Sequence, residues 1–179
     1  LDIPNNGGWT PVNNAAEKGH LDVVMALIEA KADLNISMNS GWSPVNIAAD
    51  KGHLEVLKVL IEAGADLNIP DNAGFTPVNR AAHKGDLDVV MALIEAGADL
   101  NIPDNGGWTP VNNAAEKGHK EIVNLLRDRG NRLSYKLMAL PVGVAGIGLC
   151  YTLCQKMKRD KQIRVKNALE AEAKRKETE

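Results

Sequence analysis

Large rings are scarce in this chain, whose 179 residues include three Trp, two Tyr and one Phe. A compact core centred on aromatic packing is therefore excluded, and Ala, Leu, Ile and Val must do the burying. Cysteine is scarcer still. The only two, Cys150 and Cys154, lie together near the C-terminal end, too isolated to staple distant segments, and they leave the redox compartment undecided. A basic excess is missing over most of the length. Residues 1–136 carry twelve Lys plus Arg against eighteen Asp plus Glu, and residues 155–179 carry nine against five, so the net charge of −2 conceals an acidic body and a basic tail. An acidic body argues against binding to phosphate backbones, which needs clustered Lys and Arg, so nucleic acid is not expected as a partner. No phosphate loop, nucleophile elbow or carboxylate pair at a functional spacing is present. No catalytic residue, cofactor or enzymatic activity is expected.

What the chain does have is repetition. Glycine, a bulky aromatic, Thr or Ser, Pro, Val and Asn recur four times at a constant interval of thirty-three residues, starting at Gly8, Gly41, Gly74 and Gly107. A unit this short cannot bury its apolar face alone, so it must stack on copies of itself, leaving a long open surface suited to gripping a partner.

Within one period the pattern changes twice. Thr76 precedes Pro77 as a helix N-cap, and Pro77 tolerates the first turn because its missing N–H has no intrahelical partner to lose. Gly85 closes this two-turn helix. Val89, Val90, Leu93 and Ile94 then recur at helical spacing, with Asp86 and Asp88 early where they suit the helix dipole, and Gly97 ends this second helix. The remaining stretch, 98–107, is rich in turn formers, with Leu100 and Ile102 in alternation, and predicts a projecting loop with a tight hairpin at its tip. Paired small residues (Ala15 and Ala16, Ala48 and Ala49, Ala81 and Ala82, Ala114 and Ala115) let the helices of neighbouring repeats approach closely.

The unit resembles the ankyrin repeat, whose signature is G-x-T-P-L-H-x-A-A-x-x-G-H, followed by a second helix and G-A-D-x-N. Here the match is Gly-x-Thr/Ser-Pro-Val-Asn-x-Ala-Ala-x-Lys-Gly-His, with Asp86 replacing the last His in repeat three, and then Gly64-Ala65-Asp66-Leu67-Asn68 and Gly97-Ala98-Asp99-Leu100-Asn101. The resemblance implies an all-α ankyrin-repeat solenoid, a helix-turn-helix plus a β-hairpin loop per repeat, over about residues 1–132, with an additional C-terminal helix. Asn13, Asn46, Asn79 and Asn112 stand where the family has His, so any bridging hydrogen bond must come from a shorter amide; the fold is expected to survive this.

The expected boundaries are a remnant of a preceding repeat at 1–4, repeats at 5–37, 38–70, 71–103 and 104–136, an apolar helix at 137–154 and a charged tail helix at 155–179. Leu1 to Asn6 matches Leu67 to Asn72, which suggests a fragment of a longer array. At the other end Arg127 replaces the inward Ile28, Ile61 and Ile94, and Gly130 to Ser134 is a degenerate copy of Gly-Ala-Asp-Leu-Asn, as expected of a polar cap.

Trp9, Trp42, Phe75 and Trp108 form a ladder with one rung per repeat. In proteins similar to this one, that position faces the concave groove where ligands are held, and Trp is enriched at binding hot spots. The rings could equally stack on their neighbours and stiffen the row. Beside them Asn14, Ile47, Arg80 and Asn113 vary, as do Glu17, Asp50, His83 and Glu116, so this set is the expected partner-binding face, with tolerated surface drift as the alternative. His20, His53 and His119 occupy equivalent points of different repeats, about 8–10 Å apart as packed helices stand. Zinc ligands converge to about 2 Å from one ion, so no metal site is expected.

From Leu137 to Cys154 there are eighteen residues without a charge, flanked by Lys136 and by Lys156, Lys158 and Arg159. As a helix this segment would span about 27 Å, close to the hydrocarbon core of a bilayer, and it reads as a membrane span or else as a self-associating helix. Ala139, Gly143, Gly146 and Cys150 fall on one stripe that could pack two such helices into a homodimer. Cys150 and Cys154 are candidates for reversible acylation or are simply buried thiols. The basic half of the tail suits an anionic lipid surface. The expectation is thus a non-enzymatic scaffold that binds a protein partner in its groove and is membrane-associated, with the repeats on the cytosolic side as the resemblance implies, while the larger number of basic residues after the span slightly favours a cytosolic tail instead. The alternatives are a soluble, self-assembling repeat protein, or the binding appendage of a longer enzyme or effector.

Overall fold

The computed structural model of the chain describes residues 1–138. The expected apolar helix beyond Met138, including Ala139, Gly143, Gly146, Cys150 and Cys154, and the expected tail helix 155–179 lie outside the described residues. The repeats form one compact unit, Leu1–Leu133.

Each repeat begins as its sequence dictates. The short helices α1 (Pro11–Lys18), α3 (Pro44–Lys51), α5 (Pro77–Lys84) and α7 (Pro110–Glu116) alternate with the longer α2 (Leu21–Glu29), α4 (Leu54–Glu62), α6 (Leu87–Ala96) and α8 (Lys120–Met138). The side-chain oxygens of Thr10, Ser43 and Thr76 accept from the backbone N–H of Asn13, Asn46 and Asn79, satisfying one orphan donor of each first turn. The Asn residues then supply the bridge expected of them. Their Nδ2 atoms donate to the carbonyls of Ile36, Ile69 and Ile102, at 3.3, 2.8 and 3.0 Å, tying each first helix to the loop that leaves its own repeat. Asn112 differs: its Oδ1 accepts from the N–H and hydroxyl of Thr109 instead.

Two rows of helices result. The short helices pack α1 on α3 on α5 on α7, and the longer ones pack α2 on α4 on α6 behind them. Ala16, Ala48, Ala49, Ala81 and Ala82 are completely buried between neighbours, and Leu57, Leu60, Val89, Val90 and Leu93 fill the space between the rows. Burying a Leu or Val contributes roughly 1.5–3 kcal/mol, and most of the core comes from such aliphatics rather than from rings. Ala115, Asn112 and Arg127 are exposed at the far end of the described row.

Histidine joins successive repeats. The Nε2 of His53 lies 3.0 Å from the Glu17 carbonyl, and that of His119 3.2 Å from the His83 carbonyl, each reaching the last turn of the short helix one repeat earlier, α1 and α5. Gly85 suits this contact: its φ of 85° is left-handed, and a Cβ there would press on the His119 ring. In repeat three Asp86 cannot donate to the carbonyl before it, and its carboxylate caps α6 instead, accepting from the Val89 N–H at 3.0 Å.

The tight hairpin expected at each loop tip is present as a turn, and no strand occurs among the described residues. Each tip is one turn, closed by a backbone bond from Asn5, Met38, Asp71 or Asp104 to the carbonyl of the aromatic residue four positions on. The extended pairing runs between repeats, where Asn39, Asn72 and Asn105 each donate a backbone N–H to the preceding tip. Their side-chain amides add a second bond, to the carbonyls of Asn6, Asn39 and Asn72, all at 3.0 Å. At the end of repeat four, α8 runs through Gly130 to Met138. The turn formers Ala-Asp-Leu-Asn are missing there, and one internal glycine costs a helix only about 1 kcal/mol.

Candidate functional site

The four aromatic rungs stand at the base of the loop tips, and their surroundings differ from repeat to repeat. Between Trp42 and Phe75 the gap is filled from within. The guanidinium carbon of Arg80 lies 4.4 Å from the ring centroids of both, so one cation joins rings of adjacent repeats. A weakly hydrated planar cation is suited to this position, attracted by the negative faces of both rings.

The cation is anchored from below by Asp71. Its Oδ2 accepts from Nε of Arg80 at 2.8 Å and also from Nη2, while Oδ1 accepts from the backbone N–H of Ala73 at 2.8 Å and of Phe75 at 3.0 Å. One carboxylate thus shapes the turn with one oxygen and holds the arginine with the other. For Trp42 and Phe75 the stiffening role is therefore occupied.

One repeat further on the arrangement changes. Asp104 repeats the turn geometry of Asp71, its Oδ1 accepting from the N–H groups of Gly106 at 2.9 Å and Trp108 at 3.0 Å. The place of Arg80 belongs to Asn113, whose Nδ2 donates to Asp104 Oδ2 at 3.1 Å. An amide side chain ends well short of where a guanidinium would. An open hollow of about 270 Å³ remains, lined by Phe75, His83, Asp104, Trp108, Asn113 and Glu116. Trp108 is 42% exposed, the most open of the four rungs.

Two of the ionisable groups lining this hollow, His83 and Asp104, are perturbed. His83 meets the Phe75 ring edge-on at 5.9 Å. Desolvation, and then the positive charge of Lys117, hold its imidazole below the ordinary value, against a weaker opposing pull from Glu116. Burial works to raise Asp104, but the hydrogen bonds from the Trp108 N–H, Asn113 and the Gly106 N–H outweigh it, and the carboxyl lies below the ordinary range. The floor of the hollow is therefore an anion near neutrality.

The remaining expected positions divide by burial. Ile47 is 1% and Asn113 3% exposed, so neither offers a face to a large ligand: Ile47 belongs to the aliphatic core and Asn113 is held by Asp104. Asn14 is exposed and donates to the Thr10 carbonyl. Along the short-helix face Glu17 approaches Lys51 at 3.9 Å and Asp50 approaches Lys84 at 3.5 Å, pairing each acid with the lysine of the next repeat. His83 breaks this series, and Lys117 turns to Glu116 at 3.6 Å. Trp9 is half-buried against the core.

Sequence reasoning missed Asp71 and Asp104. A signal was present: residues nine apart change together, as Asn5 with Asn14, Met38 with Ile47, Asp71 with Arg80 and Asp104 with Asn113. Polar, apolar and charged partners are matched within each repeat, which marks the second member as a complement of the first.

The histidines do not converge. His53 and His119 face carbonyls of different repeats, and no group of three or more His, Cys, Asp or Glu placed to hold a metal occurs among the described residues. Two family models match most of the array. A family model described as ankyrin repeats (3 copies) matches residues 1–71, and one described as ankyrin repeats (many copies) matches residues 80–127. No curated protein matches the chain.

Proposed function

Because the chain belongs to the ankyrin-repeat family, whose arrays serve as protein-protein interaction modules, we propose that it is a non-enzymatic scaffold. It holds a protein partner against the face of repeats three and four and is tethered to a membrane by residues 137–154. The observation that supports the binding face is Trp108, exposed beside an open hollow while its counterparts Trp42 and Phe75 are clamped on Arg80. An exposed indole next to desolvated polar groups is the kind of anchor that dominates interfaces.

The tether is supported by sequence alone, through the eighteen uncharged residues 137–154 between basic flanks. No helix among the described residues is long and apolar enough to cross a membrane. The small-residue stripe Ala139, Gly143, Gly146 and Cys150 would let two copies pair within the bilayer, and the repeats are proposed to face the cytosol, as the family resemblance implies.

Proximity labelling with the full chain as bait, run beside the Trp108→Ala variant, tests the binding reading. A protein enriched by the wild type and lost with the variant supports it, and equal recovery by both rejects the assigned face. Carbonate extraction of membranes tests the tether: the chain should stay in the pellet, and its release into the supernatant overturns that part. Crosslinking in bilayers that yields only monomers removes the dimer.

A further inference from the structure

The slot between Trp42 and Phe75 and the slot between Phe75 and Trp108 are successive copies of one place in the fold, thirty-three residues apart. In the first, the chain supplies its own cation. Arg80 is sandwiched 4.4 Å from each ring and bound by Asp71, whose other oxygen is committed to the turn. In the second, the holding parts are all present. Phe75 and Trp108 are the two rings, and Asp104 is the carboxylate, fastened by the amides of Gly106 and Trp108 as Asp71 is by those of Ala73 and Phe75. Only the cation is missing, because Asn113 replaces the arginine and leaves the hollow of about 270 Å³. Glu116 adds a second carboxylate to the lining.

From this internal template we infer that the hollow between repeats three and four receives an arginine side chain of the protein partner, its guanidinium lying between Phe75 and Trp108 and pairing with Asp104. The assignment rests on the scaffold function proposed above and names the chemistry that the partner must present. Arginine fits better than lysine because the occupant must be flat enough to stack on two rings while donating in its own plane to a carboxylate. A compact, strongly hydrated ammonium does neither well. The neighbouring lysine of this chain, Lys117, is drawn to Glu116 on the helix rather than into the slot.

The test uses the full chain and three capped tripeptides, Gly-Arg-Gly, Gly-Lys-Gly and Gly-citrulline-Gly, with the Trp108 indole N–H followed by NMR. The arginine peptide should shift that resonance saturably, the lysine peptide should bind at least about fivefold more weakly, and citrulline, which has the shape without the charge, should not bind. Asn113→Arg should rebuild the Arg80 arrangement in repeat four and abolish peptide binding. Citrulline binding as well as arginine, or a folded N113R variant that still binds the peptide, overturns the proposal. If N113R does not fold, Asp104→Asn takes its place and should weaken the arginine peptide at least about tenfold, and unchanged binding overturns the proposal equally.

A shift of the indole resonance without peptide, on replacing Arg159, Arg164 and Arg175 by Gln, would mean that the chain's own tail fills the slot, and this too overturns assignment to a partner. The scaffold function is tested separately. A partner that the wild type and N113R bind equally leaves that function standing and removes only the arginine.

Discussion

Asp71 and Arg80, nine residues apart in one repeat, share a single carboxylate oxygen: Oδ2 accepts from both Nε and Nη2 of the guanidinium. The Asp71 side chain is only 1% exposed and that of Arg80 20%, so the acid depends on this partner in place of water. Arg80→Ala should therefore destabilise the fold by about 2–3 kcal/mol, since Asp71 keeps its two backbone hydrogen bonds but loses its charged partner. The double variant Asp71→Met, Arg80→Ile copies the apolar pair Met38 and Ile47 of repeat two and should recover most of that loss. Urea denaturation followed by circular dichroism measures both. A double variant no more stable than the single one would show that the pair is not the cause.

The two tryptophans should separate stability from binding. Trp42→Ala removes one face of the Arg80 sandwich and a large buried contact, and should cost about 3 kcal/mol or more of stability. Trp108→Ala, at a 42% exposed position, should change stability by less than about 1.5 kcal/mol while weakening the partner by about 2 kcal/mol or more. Thermal melts beside a binding titration decide the matter, and equal stability losses for the two would contradict the assignment.

Repeat one carries a backbone defect that a single substitution should repair. Lys31 has φ of 60°, the only non-glycine in the left-handed region among the described residues, at the place held by Gly64 and Gly97. A side chain in that conformation costs roughly 1–2 kcal/mol. Lys31→Gly should raise stability by about 0.5–1 kcal/mol, allowing for the greater freedom of glycine in the unfolded chain. A lower melting temperature for the variant would argue against strain at Lys31.

The perturbed groups at the hollow predict two acid-side losses. His83 titrates below its ordinary value of 6.5, chiefly through desolvation and then Lys117. The unfolded chain then takes up this proton first, so stability is intact above about pH 6.5 and declines as the pH falls from there towards the folded value. His83→Gln should flatten that slope. Asp104, also depressed, contributes stability present above its ordinary value of 3.8 and lost as the pH falls through its lower folded value. Asp104→Asn should remove this second loss. Urea midpoints measured across both windows test the signs, and a wild type that gains stability on acidification from pH 7 would contradict them.

Much of this protein was legible in one dimension because much of it is local. Thr76, Pro77 and Gly85 bound α5 by capping chemistry that acts within a few residues, and the thirty-three-residue interval alone implies stacked copies. The family match over residues 1–71 and 80–127 agrees with that resemblance. The substituted Asn13, Asn46 and Asn79 kept a bridging role, as expected, since an amide can still reach a carbonyl of the adjoining loop. The bonds between the loop tips of successive repeats were harder to foresee, because turn formers signal a tip without saying what it pairs with. Ile47 and Asn113 were assigned to the surface because they vary, yet Ile47 is buried in the core and Asn113 is bonded to Asp104, nine positions earlier.

Periodicity, caps and turn formers determined the helices, their order and their stacking, since these depend on neighbours along the chain and on a translation that repeats itself. Which varying positions are buried, and which aromatic rung stays open, was decided only when adjacent repeats were brought together. One arginine fills a gap between two rings and one asparagine fails to fill the next, and that difference lies in the space between modules, which no single module encodes.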